Sequence, residues 1–268
     1  MSFRLCILSG TGGCLSRNVL LPLFASLNWS VVGVRHETTK EVVPDVKYVS
    51  KDAALNMAQG SEFDALLWLS PHSDVPLLRS FCETPVPVLS IGSMSIAAHL
   101  MTGAPAEHEL NEYQRGKLET FRIQRLTSLF PGFYLENQPY ATGLQAETTA
   151  ELCRPAGDPF LNPKWDTNKI PMSVTPMSSL AQVIAQWVRD PSGTINPNTF
   201  TVFCSDGEYS RDRLRLAALG EHIQPPRNLF SNQMHPRRPD GTPWVVTHAE
   251  VEGIMRESYL KRRKLDVE

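Results

Sequence analysis

Hydrophobic residues in the first half of the chain fall into short continuous runs separated by helix-like stretches. The runs cover residues 3–9, 30–35, 46–49, 63–70 and 86–93. They lack the in–out alternation of half-exposed strands, which is typical of parallel strands that helices cover on both faces. The pattern therefore predicts a doubly wound α/β fold around a parallel sheet, with a ligand crevice at the carboxyl ends of the strands.

The stretches between these runs repeat their apolar residues at helical spacing. Within residues 13–28 the repeat comes every four positions, and Pro22 is expected to bend this helix or end it early. A further helix is predicted over about residues 109–125. Strands and helices thus alternate through the first half of the chain, as a Rossmann-like sheet requires.

Beyond residue 132 the regular alternation of strand-like and helix-like stretches ends. Prolines and polar residues dominate residues 154–176, and predicted helices then surround a single strand-like run at residues 198–204. Residues 1–132 are therefore interpreted as a Rossmann-like domain. Residues 133–268 are expected to form an irregular substrate-binding portion, a small C-terminal cap that packs on the first domain and partly completes it.

Composition excludes several classes of partner and site. The 268 residues carry a formal net charge of −2 with a pI near 6.4, so no nucleic acid partner is expected. No apolar run approaches the roughly 18 residues of a membrane span, and no membrane partner is expected. Five scattered cysteines without a C-x-x-C pair indicate reduced thiols in a cytoplasmic protein. The seven histidines have no metal-binding spacing, so no metal site is predicted.

The first predicted strand ends in the turn Gly10-Thr11-Gly12-Gly13, directly before a predicted helix. In this context backbone N–H groups at the start of the helix can hold the pyrophosphate of a dinucleotide. All four residues are candidate cofactor-binding residues, and a tight turn without a ligand is the alternative. Ser16 stands at the third small position of the usual fingerprint, where its bulk is expected to push the helix slightly outwards.

The end of the second predicted strand indicates which dinucleotide would bind. Arg35 stands where NAD-binding proteins carry an acidic residue, and a guanidinium pairs with the 2′-phosphate that a carboxylate would repel. Arg35, with His36 and Lys40 as candidate helpers, favours NADP; a surface arginine that ends a strand is the alternative. Asp52, after the third strand, is placed to meet the adenine or, alternatively, to cap the next helix.

A third group of candidate residues follows the fifth predicted strand. Ser93 ends that strand, and Tyr113 and Lys117 are four residues apart, on one face of the next predicted helix. Lys117 is expected to lower the pKa of the Tyr113 phenol, while the Ser93 hydroxyl holds a substrate oxygen. A packed tyrosine beside a solvated lysine is the alternative.

These motifs together resemble the short-chain dehydrogenase/reductase superfamily in its extended and atypical branch. Residues 126–138 are similar to the sixth-strand segment of NmrA-like and isoflavone-reductase-like proteins, and residues 178–191 and 198–219 to the C-terminal cap of those families. The sequence departs from the family pattern at three positions, which are Ser16 for the third glycine, Phe130 for an arginine and Ser179 for an aspartate.

The resemblance implies that Gly10, Gly13, Arg35 and Asp52 bind NADP and that Ser93, Tyr113 and Lys117 carry catalysis, with Phe133, Tyr134 and Asn137 on the substrate side. The implied function is an NADPH-dependent oxidoreductase that reduces a carbonyl or an activated double bond of a small metabolite. One alternative is a nucleotide-sugar epimerase or reductase, which the arginines of residues 227–238 would suit. Another is an NmrA-like regulator that senses NADP(H) without turnover. By analogy with the members of this branch, the resemblance also suggests that the chain forms a homodimer.

Overall fold

The computed structural model describes residues 2–36, 42–69, 74–103, 106–135, 173–196, 200–205, 207–227 and 230–265. Within them, seven parallel strands form one sheet in the order β3-β2-β1-β4-β5-β6-β9. The strands are β1 Arg4–Ser9, β2 Ser30–Val34, β3 Lys47–Val49, β4 Ala65–Trp68, β5 Val88–Ile91, β6 Leu126–Pro131 and β9 Thr201–Phe203. The strand order reverses between β1 and β4, where a doubly wound sheet opens its crevice. The predicted Rossmann-like α/β fold is confirmed.

Helices and one small additional strand pair complete the described part of the chain. The helices are α1 Leu21–Ser26, α2 Lys51–Gln59, α3 Val75–Cys82, α4 Met94–Thr102, α5 Glu112–Phe121, α6 Met177–Arg189, α7 Pro191–Thr194, α8 Arg211–Leu219 and α9 His248–Leu265. Strands β7 Phe133–Tyr134 and β8 Val174–Thr175 form the parallel pair.

The sheet separates two layers of core. Leu5 and Ile7 of β1 pack in one hydrophobic cluster with residues of α1 and α6, whereas Cys6 and Leu8 pack in another with residues of α2 and α3. Successive side chains of a strand point to opposite faces, so both faces of β1 are buried. This two-sided burial is why the strand sequences are apolar without alternation.

The first helix contains a wide turn ahead of Pro22. Residues Ser16–Leu20 are π-helical, and the Leu21 N–H donates to the Ser16 carbonyl; α1 then continues through Pro22 to Ser26. A proline has no N–H to donate, and its ring clashes with the carbonyl four residues earlier. The wide turn relieves that clash, so Pro22 changes the register of the helix but does not end it there.

The C-terminal half of the chain contributes directly to the sheet and its core. Strand β9 pairs with β6, and Leu180, Ile184 and Trp187 of α6 belong to the same hydrophobic cluster as Leu5 and Ile7 of β1. The division at residue 132 and the role of the C-terminal portion as a substrate cap stay predictions.

Three observations apply to the part of the chain that the structure describes. None of its helices is both long enough and apolar enough to cross a membrane. No group of three or more histidine, cysteine, aspartate and glutamate residues is arranged to hold a metal ion there. The described cysteines form no disulfide, and burial raises the pKa of the Cys6 and Cys82 thiols to about 12.

Candidate functional site

The phosphate turn, Gly10 to Gly13, follows β1 at the carboxyl end of the sheet. Gly10 has a φ of 86°, a conformation that favours glycine, and the Gly13 N–H donates to the Gly10 carbonyl at 3.0 Å. A Cβ on Gly13 would lie 3.2 Å from that carbonyl oxygen, whereas a Cβ on Gly12 would meet no atom within 4 Å. Gly10 and Gly13 therefore shape the turn, and open space lies beside Gly12.

Ser16 closes the same turn from the helix side. Its side chain is fully buried, and its hydroxyl donates to the Gly10 carbonyl at 2.8 Å. The π-helical turn begins at this residue. The serine at the third position of the fingerprint thus adds a hydrogen bond that a glycine could not make.

The end of β2 packs against the phosphate turn. A Cβ on Gly33 would lie 2.8 Å from the Tyr48 ring and 3.3 Å from the Thr11 hydroxyl, so a glycine is needed where these two side chains meet β2. Arg35 follows directly after the strand, with its N–H donating to the Val49 carbonyl and its side chain exposed. The guanidinium is therefore available to a ligand at the carboxyl end of β2.

Two further contacts tie together the loops around this end of the sheet. His36 Nε2 lies 2.6 Å from the Leu8 carbonyl oxygen, which attaches the end of β2 to β1. Lys51 Nζ, at the start of α2, lies 2.5 Å from the carboxylate of Asp74, the residue that caps α3. The hydrogen bond from Lys51 lowers the pKa of the Asp74 carboxyl below its usual range. These contacts join the ends of β1 and β2 and the starts of α2 and α3.

Asp52 is exposed in the first turn of α2, directly after the carboxyl end of β3. The cap of that helix is Ser50, whose hydroxyl accepts a hydrogen bond from the Ala53 N–H at 3.2 Å. The alternative in which Asp52 caps the helix is therefore wrong. Contact with adenine stays a prediction for this residue.

Ser93 occupies the cap position of α4, at the carboxyl end of β5. Its backbone carbonyl accepts hydrogen bonds from the Ile96 and Ala97 N–H groups, but its side chain makes no capping hydrogen bond. The hydroxyl is hydrogen-bonded to the Tyr113 phenol instead. A serine at this position usually caps the helix. Here its side chain is directed to a titratable group.

Tyr113 and Lys117 lie on α5, whose first turn is fixed by reciprocal hydrogen bonds between Asn111 and Gln114. The Tyr113 side chain is 38% exposed, whereas Lys117 is only 4% exposed. Lys117 Nζ donates to the Ile91 carbonyl at 2.5 Å and lies 6.0 Å from the centroid of the Tyr113 ring. The structure thus brings Ser93, Tyr113 and Lys117 together at the end of β5, as the sequence predicts.

The pKa values at this end differ from the sequence expectation. Burial raises the pKa of the Tyr113 phenol, and the hydrogen bond from Ser93 opposes this only in part. Burial also lowers the pKa of the Lys117 ammonium to about 7. The expected pKa of Tyr113 below its usual range is not found, because burial outweighs the other effects and the buried lysine carries its charge in only part of the molecules near neutral pH. Tyr113 is therefore a protonated phenol, suited to donating a proton.

The predicted substrate-side residues follow β6, the neighbour of β5. Phe133 and Tyr134 form β7 and are half-buried against the core, and the Phe133 N–H donates to the Ser173 carbonyl at 2.8 Å. Gly132 allows this pairing, because a Cβ there would lie 2.4 Å from the Ser173 oxygen. Asn137 lies outside the described residues.

The candidate residues are spread across the carboxyl edge of the sheet. The ends of β3 and β2 carry Asp52 and Arg35, the end of β1 carries the phosphate turn, and the end of β5 carries Ser93. Four strand spacings separate β3 from β5, or about 19 Å at roughly 4.8 Å each. Dinucleotides bind across such a sheet, with the pyrophosphate at the central turn.

Comparison with known proteins identifies the fold. No family model matches the chain, and no curated protein sequence matches it. Solved structures do: L-threonine 3-dehydrogenase from Trypanosoma brucei matches with a TM-score of 0.63 and 11% identity over 99% of this chain and 98% of that one. The protein RMD from Pseudomonas aeruginosa, complexed with NADPH, matches at 0.61 and 13% over 99% of both chains. UDP-N-acetylglucosamine 4-epimerase from Bacillus cereus matches at 0.60 and 11% over 98% of this chain and 100% of that one.

These three proteins share the Rossmann-like α/β fold of this chain. The likeness spans nearly the whole of each chain, so it includes the C-terminal half as well as the sheet. The resemblance inferred from the motifs is thereby confirmed at the level of the fold.

Gly92 and Phe130 lie in contact beside Ser93 in the chain and the sheet but were not among the predicted site residues. A Cβ on Gly92 would lie 2.4 Å from the Phe130 ring, which also packs 4.5 Å from the ring of Phe200. Phe130, at one of the positions where the sequence departs from the resembled family, belongs to a hydrophobic cluster with Ile96 and Ala97 of α4. The glycine directly before Ser93 in the sequence was the available signal.

A surface pocket of about 400 Å³ lies away from the carboxyl edge of the sheet. Leu21 and Ala25 of the first helix form one wall, and Trp29 and Val46, which directly precede β2 and β3, help to form the other. It therefore extends toward the amino ends of these strands, opposite to Ser93.

Proposed function

We propose that the chain is an NADP(H)-dependent oxidoreductase that reduces a carbonyl or an activated double bond of a small metabolite. The observation that carries the proposal is the hydrogen-bonded Ser93–Tyr113 pair beside buried Lys117, at the carboxyl end of β5. A protonated phenol next to a hydroxyl is a suitable arrangement for protonating a substrate oxygen. Its position on an extended dehydrogenase/reductase fold supports the same reading.

The phosphate turn fits the pyrophosphate of a dinucleotide. The space beside Gly12 is open, and the turn leads into the first helix, whose N–H groups favour an anion. Exposed Arg35 at the end of β2 suits a 2′-phosphate, which is why we favour NADP over NAD. The bound dinucleotide would supply the hydride-transfer chemistry, and the protein would supply position and proton transfer.

Tyr113 would donate its proton to the substrate oxygen. Its exposed part gives a substrate access to the hydroxyl, and its raised pKa keeps the proton in place at neutral pH. Ser93 would stabilise the phenolate that remains, because a hydrogen bond to the charged form favours that form.

Lys117 would act through its charge. Its pKa of about 7 lets it carry a proton in part of the molecules at neutral pH, and the ammonium would then stabilise the Tyr113 phenolate. The hydrogen bond to the Ile91 carbonyl keeps Nζ against the end of β5, close to Ser93.

The test combines binding and turnover. Calorimetry measures NADPH binding, and a panel of aldehydes, ketones and enones is screened for NADPH oxidation. Tyr113→Phe should lower turnover about 10²- to 10⁴-fold with little change in NADPH affinity, whereas Tyr259→Phe on α9 serves as a matched control that leaves both unchanged. Failure of the wild type to bind NADP(H) would overturn the proposal. Tight binding without any turnover would favour the sensing regulator.

A nucleotide-sugar epimerase or reductase is the second candidate, because a UDP-sugar epimerase shares this fold over its whole chain. Two of the three arginines proposed to suit a nucleotide diphosphate make local contacts, however. Arg237 donates to the Gly241 carbonyl at 2.8 Å, and the Arg238 guanidinium lies 5.5 Å from the Trp244 ring centroid. We therefore place the candidate second. Binding of UDP or dTDP, with sugar interconversion and no net NADPH oxidation, would move it to first place.

A further inference from the structure

We propose that Ser16 is a positioning residue for the pyrophosphate site. In this account its hydroxyl holds the Gly10–Thr11 peptide so that the Thr11 N–H points out of the turn, toward the phosphate of a bound dinucleotide. The inference deepens the proposed function and rests on it.

The Gly10 carbonyl is held by two donors. The Gly13 N–H reaches it at 3.0 Å and the Ser16 hydroxyl at 2.8 Å. A carbonyl oxygen has two lone pairs, so these donors occupy both. Ser16 is fully buried, and its hydroxyl is directed inside the turn. The carbonyl is thereby fixed toward the start of the helix.

Peptide planarity carries this constraint to the next residue. The C=O of Gly10 and the N–H of Thr11 belong to one planar trans peptide, so the two groups point in opposite directions. A carbonyl fixed toward the helix therefore turns the Thr11 N–H away from it. No acceptor for this N–H is found among the residues that the structure describes. The Thr11 side chain is itself buried near Gly33, which holds the residue from its other side.

An outward N–H at this position is the type of donor that phosphate sites use. In the usual fingerprint the third glycine permits close packing of the helix on the strand. Here the serine hydroxyl fixes the turn, and the helix widens into its π-helical turn from the same residue onwards. Ser16 thus departs from the usual pattern, and its hydroxyl would keep the Thr11 N–H preorganised for a phosphate.

The experiment compares a ligand that has a pyrophosphate with one that lacks it. NADPH and adenosine 2′-phosphate are titrated into wild type, Ser16→Ala, Ser16→Gly and Ser16→Thr. Ser26→Ala is the matched control, because the Ser26 hydroxyl also donates to a helix carbonyl, Leu23, but in the last turn of α1.

Ser16→Ala and Ser16→Gly should each weaken NADPH binding about five- to tenfold, as expected for one misplaced hydrogen bond, and change adenosine 2′-phosphate binding less than twofold. Ser16→Thr, which keeps the hydroxyl, should restore most of the NADPH affinity, and Ser26→Ala should change neither ligand. Equal weakening of both ligands, or unchanged NADPH affinity in the alanine and glycine variants, would overturn the inference. Wild-type protein that binds no NADPH would overturn the proposed function, whereas wild type that binds NADPH no better than Ser16→Ala would overturn this inference alone.

Discussion

The two ends of the crevice are built from different parts of the chain. At the phosphate end, Gly10 and Gly13 contribute backbone groups in a turn that buried Thr11 and Ser16 hold in place. At the proton end, Ser93, Tyr113 and Lys117 contribute side chains whose chemistry depends on burial. A backbone site requires particular φ values and open space, whereas a side-chain site requires a surrounding core that shifts pKa values.

Because of this difference, the two ends of the crevice should respond differently to amino-acid substitutions. An added methyl group on Gly12, at the phosphate end, would meet a bound ligand before it meets the protein, since Gly12 faces open space. At the proton end the same methyl group on Gly92 would meet Phe130 first. Substitutions at the first end should therefore affect binding, and those at the second should affect stability and proton transfer together.

The largest expected effect concerns Lys117 and pH. Burial lowers its pKa to about 7, so between pH 7 and pH 9 the unfolded chain binds more protons at this residue than the folded chain does. Stability rises with pH wherever the unfolded state binds more protons, and the free energy of unfolding should gain about 2 kcal/mol in this window from Lys117. Denaturant unfolding at both pH values measures it. Lys117→Met should remove the rise, while Lys47→Met at an exposed position should keep it; equal slopes in all three proteins would contradict the burial argument.

Glycine substitutions at the two ends compare them directly. Gly92→Ala should lower the free energy of unfolding by about 1–3 kcal/mol, because the Phe130 ring must move. Gly12→Ala should leave that free energy within about 0.5 kcal/mol and weaken NADPH binding instead. Chemical denaturation and calorimetry on both variants supply the measurements. A destabilised Gly12→Ala, or a fully stable Gly92→Ala, would break the contrast between the two ends.

Arg35→Ala tests the assignment of the 2′-phosphate. Losing one charge-assisted, bidentate pair should weaken NADPH binding about tenfold and leave NADH binding nearly unchanged. Titration of both dinucleotides gives the selectivity ratio. Arg79→Ala on α3 is a control away from β2, and unaltered NADPH selectivity in Arg35→Ala would leave the choice of NADP without support.

The smallest expected effect is on labelling of Cys14. This residue directly follows the phosphate turn and is half-buried, unlike the buried Cys6, Cys82 and Cys204. Burial raises the pKa of its thiol, so labelling by iodoacetamide should be slow, and bound NADPH should slow it several-fold further by covering the turn. Peptide mass spectrometry after timed labelling reports the rate. Identical Cys14 labelling with and without saturating NADPH would place the dinucleotide elsewhere.

The same contrast explains what the sequence could predict. The phosphate turn is a local pattern of strand, glycines and helix, and Tyr113 and Lys117 are four residues apart on one helix. Both could therefore be predicted from short stretches of sequence. The direction of the Tyr113 pKa could not be predicted, because it depends on how deeply α5 is buried against β5. The contact of Gly92 with Phe130 joins two different strands, and the hydrogen bond from Ser16 to Gly10 depends on how the first helix leaves the turn. The first contact arises from packing between segments that are distant in sequence, and the second from the local path of the backbone between β1 and the first helix.

The central claim is that a dinucleotide spans the crevice from Arg35 across the phosphate turn to Tyr113. A crystal structure of the complex with NADPH tests it most directly. The account predicts the 2′-phosphate beside the Arg35 guanidinium, the pyrophosphate against Gly12 and the Thr11 N–H, and the nicotinamide ring next to the Tyr113 hydroxyl. NADPH bound in the opposite direction, or with its nicotinamide remote from Tyr113, would contradict it.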